Sequence, residues 1–154
     1  MVFYRGDDMM VSECMAGIVQ MVRPEADLAT AARVMKKFNI GCVLVGLEAH
    51  VVGIVTDRDL VTRGLCAGAE AATMSVAEVM TPDPMYCTPD DTVNQAATIM
   101  RHNLVRRLPV LNADRTLAGI VSVGDICRHI PSSMAGQLIE KLSRPRNHSL
   151  TAAN

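Results

Sequence analysis

Gly53-Ile54-Val55-Thr56-Asp57-Arg58-Asp59 returns further along the chain as Gly119-Ile120-Val121-Ser122-Val123-Gly124-Asp125. The chain is written twice, so the repeat is the unit of folding and must be settled before any local reading. The correspondence runs upstream at a constant offset of 65: Met15 with Met80, Pro24 with Pro89, Leu28 with Val93, Ala31-Ala32 with Ala96-Ala97, Met35 with Met100 and Val45 with Val110. Residues 46–52 then face residues 111–118, one residue more, and the offset becomes 66. A single insertion of this kind belongs in a surface turn.

Each copy predicts the same order of elements. An extended segment (residues 18–23 and 85–88) leads into Pro24 or Pro89, since proline biases its predecessor toward extended backbone. A helix follows, capped by Asp27 in one copy and by Asp91-Thr92 in the other. Its apolar set in copy one is Leu28, Ala31, Ala32, Met35 and Phe38, the spacing of one helical face. Two apolar, β-branched runs joined by a short turn then read as a hairpin, at 42–45 with 51–55 and at 108–111 with 117–121. A second helix starts after Thr56 and after Ser122, and Pro131 is expected to end the latter. The expected division is residues 14–65 and 79–131 for the two repeats, 66–78 as a linker, and 132–154 as a terminal helix with a loose tail. The leading dozen residues are expected to be loose as well. Neither β-α-β-β-α unit can bury its sheet face alone, so the two should pack sheet to sheet.

Composition excludes several classes. With 15 Lys and Arg against 16 Asp and Glu, the chain lacks the basic footprint of a nucleic-acid binder. With two Phe, two Tyr and no Trp, it lacks stacking platforms for single strands. No apolar run approaches the roughly 18 residues of a membrane span, and Asp7-Asp8 interrupt the N-terminus where a signal peptide would be apolar. A cytoplasmic location is expected. Five cysteines (Cys14, Cys42, Cys66, Cys87, Cys127) form no CxxC pair and read as reduced structural thiols, with disulfide or metal roles as alternatives. Asn147-His148-Ser149 spells a glycosylation sequon that a cytoplasmic protein would not use.

The repeated hydroxyl and acid, Thr56 with Asp59 and Ser122 with Asp125, admit two readings. One is a helix capping box, although aspartate reaches back less well than the usual glutamate or glutamine. The other is a nucleotide site, in which a carboxylate accepts hydrogen bonds from vicinal ribose hydroxyls and free N–H groups at the helix start face an anion. Recurrence of the pair at the same place in both copies strengthens the second.

Residues 14–131 resemble a tandem CBS-domain protein, the cystathionine-β-synthase-type repeat pair or Bateman module, and specifically its small stand-alone bacterial members. The motifs that carry the resemblance are G-h-h-[ST]-x-x-D in both copies, Val79-Met80-Thr81-Pro82, Val105-Arg106-Arg107-Leu108-Pro109-Val110, and Arg128-His129-Ile130-Pro131. It implies an α/β (α+β) fold of two β-α-β-β-α repeats packed with pseudo-two-fold symmetry. It also implies a homodimer and adenosine ligands in the clefts between repeats: AMP, ADP or ATP first, S-adenosylmethionine or NADH behind them. Thr56, Asp59, Ser122 and Asp125 would hold the ribose. Adenine would lie near Val22 and Val43, or near Cys87 and Pro109, against strand backbone and aliphatic side chains. Arg106 and Arg107 fall where the family often contacts phosphate, with solvated surface or a dimer contact as the alternative; copy one departs here, reading Gly41-Cys42 and then Val43-Leu44-Val45.

Nothing in the chain reads as catalytic. His50, His102, His129 and His148 have no paired metal-ligand spacing, and no Walker, G-x-G-x-x-G or G-x-S-x-G sequence occurs. The expectation is a non-catalytic regulator that senses an adenosine ligand and acts on a protein target. A ligand-free structural or interaction dimer of the stress-response type is the alternative, and a redox-responsive protein using one of the thiols is a third.

Overall fold

The computed structural model describes residues 8–144. In copy one, β1 (Met21–Val22), α1 (Leu28–Phe38), β2 (Cys42–Leu47) and β3 (His50–Thr56) appear in the expected order. Asp27 caps α1, its Oδ1 accepting from Thr30 N–H at 2.6 Å. The helix buries Ala31 and Met35, whereas Ala32 is exposed and Phe38 stays 44 % exposed, so the core-facing stripe is narrower than the spacing predicts. After Thr56 the chain turns through α2 (Asp57–Asp59), loosens into a wide π turn over Leu60–Gly64, and tightens into 3-10 turns over Leu65–Ala72. Gly64 permits this path, because a Cβ there would sit 2.6 Å from Leu28 Cδ1.

The second copy repeats the plan with α4 (Val93–Asn103), β5 (Arg107–Leu111), β6 (Leu117–Ser122) and α5 (Val123–Cys127). Thr92 caps α4 by accepting from Gln95 N–H. Its lead-in strand shrinks to one parallel bridge, Cys87 with Val110, the counterpart of Val22 beside Val45. Both hairpins shift register at the same place, between Val45 and Gly46 and between Val110 and Leu111. Pro131 does not end α5, which stops four residues earlier at Cys127; it is instead the N-cap of α6 (Ser132–Ser143). Proline suits that place because a helix start has no use for its missing N–H.

The segment preceding each copy packs on the other copy. Residues leading into copy two form α3 (Val76–Val79) and β4 (Thr81–Pro82), and β4 pairs with β3 of copy one. Val76 N–H donates to Ala26 O at 2.8 Å and Ala77 N–H to Pro24 O at 3.0 Å. The chain's opening residues do the same for copy two: Val11 N–H donates to Asp91 O at 2.8 Å, Ser12 N–H to Pro89 O at 3.0 Å, and Ala16 bridges Ile120. Every one of these contacts maps onto its partner under the repeat offset. Val76 and Val79 are therefore wholly buried in the first core, and Val11 is wholly buried in the second. The leading dozen residues were expected to be loose on account of their polarity; residues 9–13 are instead tied down by backbone bonds that polarity does not reveal, and residues 1–7 lie outside the described range. The tail beyond 144 also lies outside it.

Two aliphatic cores result. One gathers Val22, Ala31, Met35, Val43, Val45, Val55, Val76 and Val79; the other gathers Val11, Cys87, Val93, Met100, Leu108, Val110, Val121, Ile126 and Leu138 from α6, among others. Alternation along β2 and β5 points Val43 and Val45, or Leu108 and Val110, into these cores. Leu44 and Pro109 point the other way and are buried as well, outside both cores. That second buried face is where the sheets of the two copies meet. His50 bridges Thr116, its counterpart under the repeat, and so marks the pseudo-two-fold axis; beside it Leu117 N–H donates to Ala49 O at 2.8 Å.

Candidate functional site

Thr56 ends β3 and Ser122 ends β6, each opposite the first residue of the neighbouring strand, Cys42 and Arg107. At both turns the helix start is closed by a complete capping box. Asp59 N–H donates to Thr56 Oγ1 at 3.1 Å, while Asp59 Oδ2 accepts from Thr56 N–H at 3.0 Å and from Thr56 Oγ1–H at 2.7 Å. In copy two, Asp125 N–H donates to Ser122 Oγ at 3.2 Å, and Asp125 Oδ2 accepts from Ser122 N–H at 2.9 Å and Oγ–H at 2.5 Å. Aspartate thus reaches back as well as glutamate does at Ser75–Glu78, because it bonds the hydroxyl and the N–H with the same oxygen.

This geometry makes the two readings compatible. The box consumes Oδ2 and fixes the carboxylate, leaving Oδ1 as a preset acceptor for a second donor. Asp59 keeps 16 % and Asp125 23 % of side-chain exposure, enough for contact from outside. The surroundings of Oδ1 differ between copies. Arg63 Nε stands 3.7 Å from Asp59 Oδ1, while its Nη1 donates to Val79 O at 3.0 Å and Met80 O at 3.3 Å, so this guanidinium is anchored to the crossing segment. Arg128, 68 % exposed, donates Nη2–H directly to Asp125 Oδ1. Arg128 entered the sequence reading only within Arg128-His129-Ile130-Pro131 and Arg63 not at all; a basic residue one turn after a motif acid is the signal that flags both.

The two arginines before β5 part company. Arg106 donates to Leu142 O at 3.2 Å and so holds the last turn of α6. Arg107 crosses to copy one: a methyl group on Gly41 would lie 3.2 Å from Asp57 Oδ2 and 3.8 Å from Arg107 Nη2. Burial raises the Cys42 thiol pKa above its ordinary value, with Arg107 pulling it down and Asp57 pushing it up. A cation from copy two thus stands beside the strand–helix turn of copy one, close to Gly41 and Cys42.

The expected adenine-side residues divide. Val22 and Val43 point into the first core, 7 % and 1 % exposed, and Cys87 points into the second. Their side chains face helices rather than a ligand, because the alternation of a strand buried on both faces does not say which face is which. Cys87 also spends its backbone on β5, donating N–H to Pro109 O at 3.1 Å and accepting from Leu111 N–H at 2.9 Å. Burial pushes its thiol up to about 12. Pro109 alone of the four lies on the inter-repeat face, and its counterpart there is Leu44.

Among the described residues no group of three or more His, Cys, Asp or Glu could hold a metal ion, and no helix is long and apolar enough to cross a membrane. The fold and the doubled turn motif define a paired-repeat module, and this chain belongs to the CBS domain family, whose model matches residues 11–65 and 76–132. It is 31% identical over 128 residues to Hypoxic response protein 1 of Mycobacterium tuberculosis, covering 82% of this chain and 89% of that protein. It is 30% identical over 139 residues to the CBS domain-containing protein YhcV of Bacillus subtilis, covering 90% and 98%. The crystal structure of Hypoxic Response Protein I, with two coordinated zinc ions, superposes with a TM-score of 0.71 over 80% of this chain and all of that one. CBSX2 in complex with AMP superposes with a TM-score of 0.68 at 24% identity, over 86% and 98%.

Proposed function

We propose that this chain is a non-catalytic regulatory module, located in the cytoplasm, that binds an adenosine ligand of the AMP, ADP or ATP type between its repeats and reports it to a protein target. One observation carries the reading: in both copies the motif aspartate is locked through Oδ2 and presents Oδ1 in a fixed direction. A preset carboxylate oxygen is what a ribose diol requires, and it is supplied twice. Leu44 and Pro109 give the aliphatic surface that a base would need in a chain almost free of aromatics. Arg107 gives copy one a phosphate contact contributed by copy two. The AMP complex of CBSX2, a protein of the same fold, supports the ligand class.

The module is read as a homodimer, because Val61 and Leu65 stay 54 % and 68 % exposed on successive turns of the segment after α2. A specific observation also favours a second reading: each motif pair closes a complete capping box, a structural role that stands on its own. A thermal-shift screen over AMP, ADP, ATP, NADH and S-adenosylmethionine separates the two. Stabilisation that saturates with an adenine nucleotide supports the sensor, whereas an unchanged melting temperature at millimolar ligand leaves the structural dimer. Light scattering giving the monomer mass of 16.6 kDa at micromolar concentration would refute dimerisation.

A further inference from the structure

We propose that Arg128 clasps the copy-two aspartate in the resting protein and competes with a ligand for it, so that the two sites fill in order, copy one first. The inference rests on the adenosine reading above and adds a regulatory difference between two sites that the motif alone makes look equivalent.

The argument is one of acceptor accounting. Asp125 Oδ2 already accepts from Ser122 N–H and Oγ–H. Its remaining oxygen, Oδ1, carries the direct bond from Arg128 Nη2. That oxygen keeps a second lone pair, yet a neutral diol reaching it must compete with a charge-assisted hydrogen bond on the same atom. In copy one the matching oxygen, Asp59 Oδ1, has Arg63 Nε at 3.7 Å, beyond hydrogen-bond length, and Arg63 is restrained by the carbonyls of Val79 and Met80. The anchor works because Arg63 lies four residues beyond its aspartate, within reach of the crossing segment. Arg128 lies three beyond and folds back onto the carboxylate instead. Arg128 is also free to move, being 68 % exposed, so its clasp is a gate rather than a permanent block. Exposed ion pairs contribute modestly, which sets the gate at about two- to five-fold in affinity.

Titration calorimetry with adenosine tests this on the whole chain. Asp59→Asn disables copy one, and copy-two binding is then compared with and without Arg128→Ala. Arg128 is exposed, so its removal should leave the melting temperature within a degree or two. Arg128→Ala is expected to tighten adenosine by about two- to five-fold at low salt, with the gain shrinking as salt screens the clasp. In the wild type, the site lost on Asp59→Asn should be the tighter one. If Arg128→Ala binds adenosine equally well or more weakly while the wild type binds normally, the gate is overturned and the adenosine reading stands. If neither wild type nor variant binds adenosine, both are overturned together.

Discussion

Replacing Gly119 with alanine should destabilise the protein by clearly more than replacing Gly53, although the two glycines correspond under the repeat. Each sits where the crossing segment passes over a hairpin. A Cβ on Gly53 would meet Met80 Sδ at 2.4 Å, Met80 Cγ at 3.1 Å and Thr81 O at 3.2 Å. The worst of these contacts is near the tip of a flexible side chain, and moving it off its rotamer costs about 0.5–1.5 kcal/mol. A Cβ on Gly119 would meet Ala16 O at 2.7 Å as well as Met15 Sδ at 2.8 Å. Ala16 O accepts from Ile120 N–H at 3.0 Å, so yielding there disturbs the bridge that holds the N-terminal segment. Backbone shifts from overpacking cost about 1–3 kcal/mol. Both substitutions recover about 0.4–1 kcal/mol by restricting the unfolded chain, because neither glycine has a positive φ. The expected net difference is about 1 kcal/mol, or about 2–4 °C in melting temperature for a chain of this size. Urea titration of G53A, G119A, and each combined with Met80→Ala or Met15→Ala measures it. Met80→Ala should relieve most of the G53A strain, and Met15→Ala only part of the G119A strain. A G119A protein as stable as G53A would show that Ala16 does not lie on β6, and the crossed arrangement would fail.

Val11→Ala removes about two buried methylene equivalents from the second core and should cost about 1.6 kcal/mol, seen as a lower urea midpoint. Asp59→Ala and Asp125→Ala should each weaken an adenine nucleotide at their own site by about 1.5–3 kcal/mol, or roughly 10- to 150-fold; equal calorimetric affinity in wild type and variant would leave the aspartates as caps only. Arg107→Gln should lower ATP affinity more than adenosine affinity and flatten its salt dependence, whereas Arg106→Gln should alter neither, because Arg106 holds α6. Among the described thiols, exposed Cys66 should label rapidly with a disulfide reagent at pH 8. Cys87 should stay protected until the protein unfolds, since burial holds it protonated up to about pH 12.

The doubled motif made the element order, both hairpins and the helix caps legible, because these depend on local spacing and on residues such as Asp27 and Thr92 that bond within one turn. The crossing segments were not legible. Val11 and Val76 carry no sign in the sequence of which core they enter, since that depends on remote partners such as Asp91 for Val11 and Ala26 for Val76, across the repeat boundary. The motif residues were legible by recurrence, whereas the sequence did not say that the side chains of Val22, Val43 and Cys87 enter the two cores. A strand buried on both sides gives no alternation to read, so only the three-dimensional packing distinguishes Leu44 and Pro109 from their neighbours. The split roles of Arg106 and Arg107 were equally hidden, since one reaches α6 and the other the turn of copy one beside Gly41.

The crossed segments also make the two halves unequal in time. As the chain leaves the ribosome, copy one acquires its cover from β4 soon after its own second helical segment, since Thr81 is made far sooner after Ile54 than Ile120 is after Ala16. Copy two depends on Ala16, which is made early and has nothing to pair with until Ile120 appears. At about 5–20 residues per second, that wait lasts roughly 5–20 seconds. During it, residues 9–16 are an uncovered, largely apolar segment on a nascent chain, the state in which a chaperone, a second nascent copy or a protease can engage them. Tagging or truncating the N-terminus should therefore affect yield more than the same change at the far end of α6.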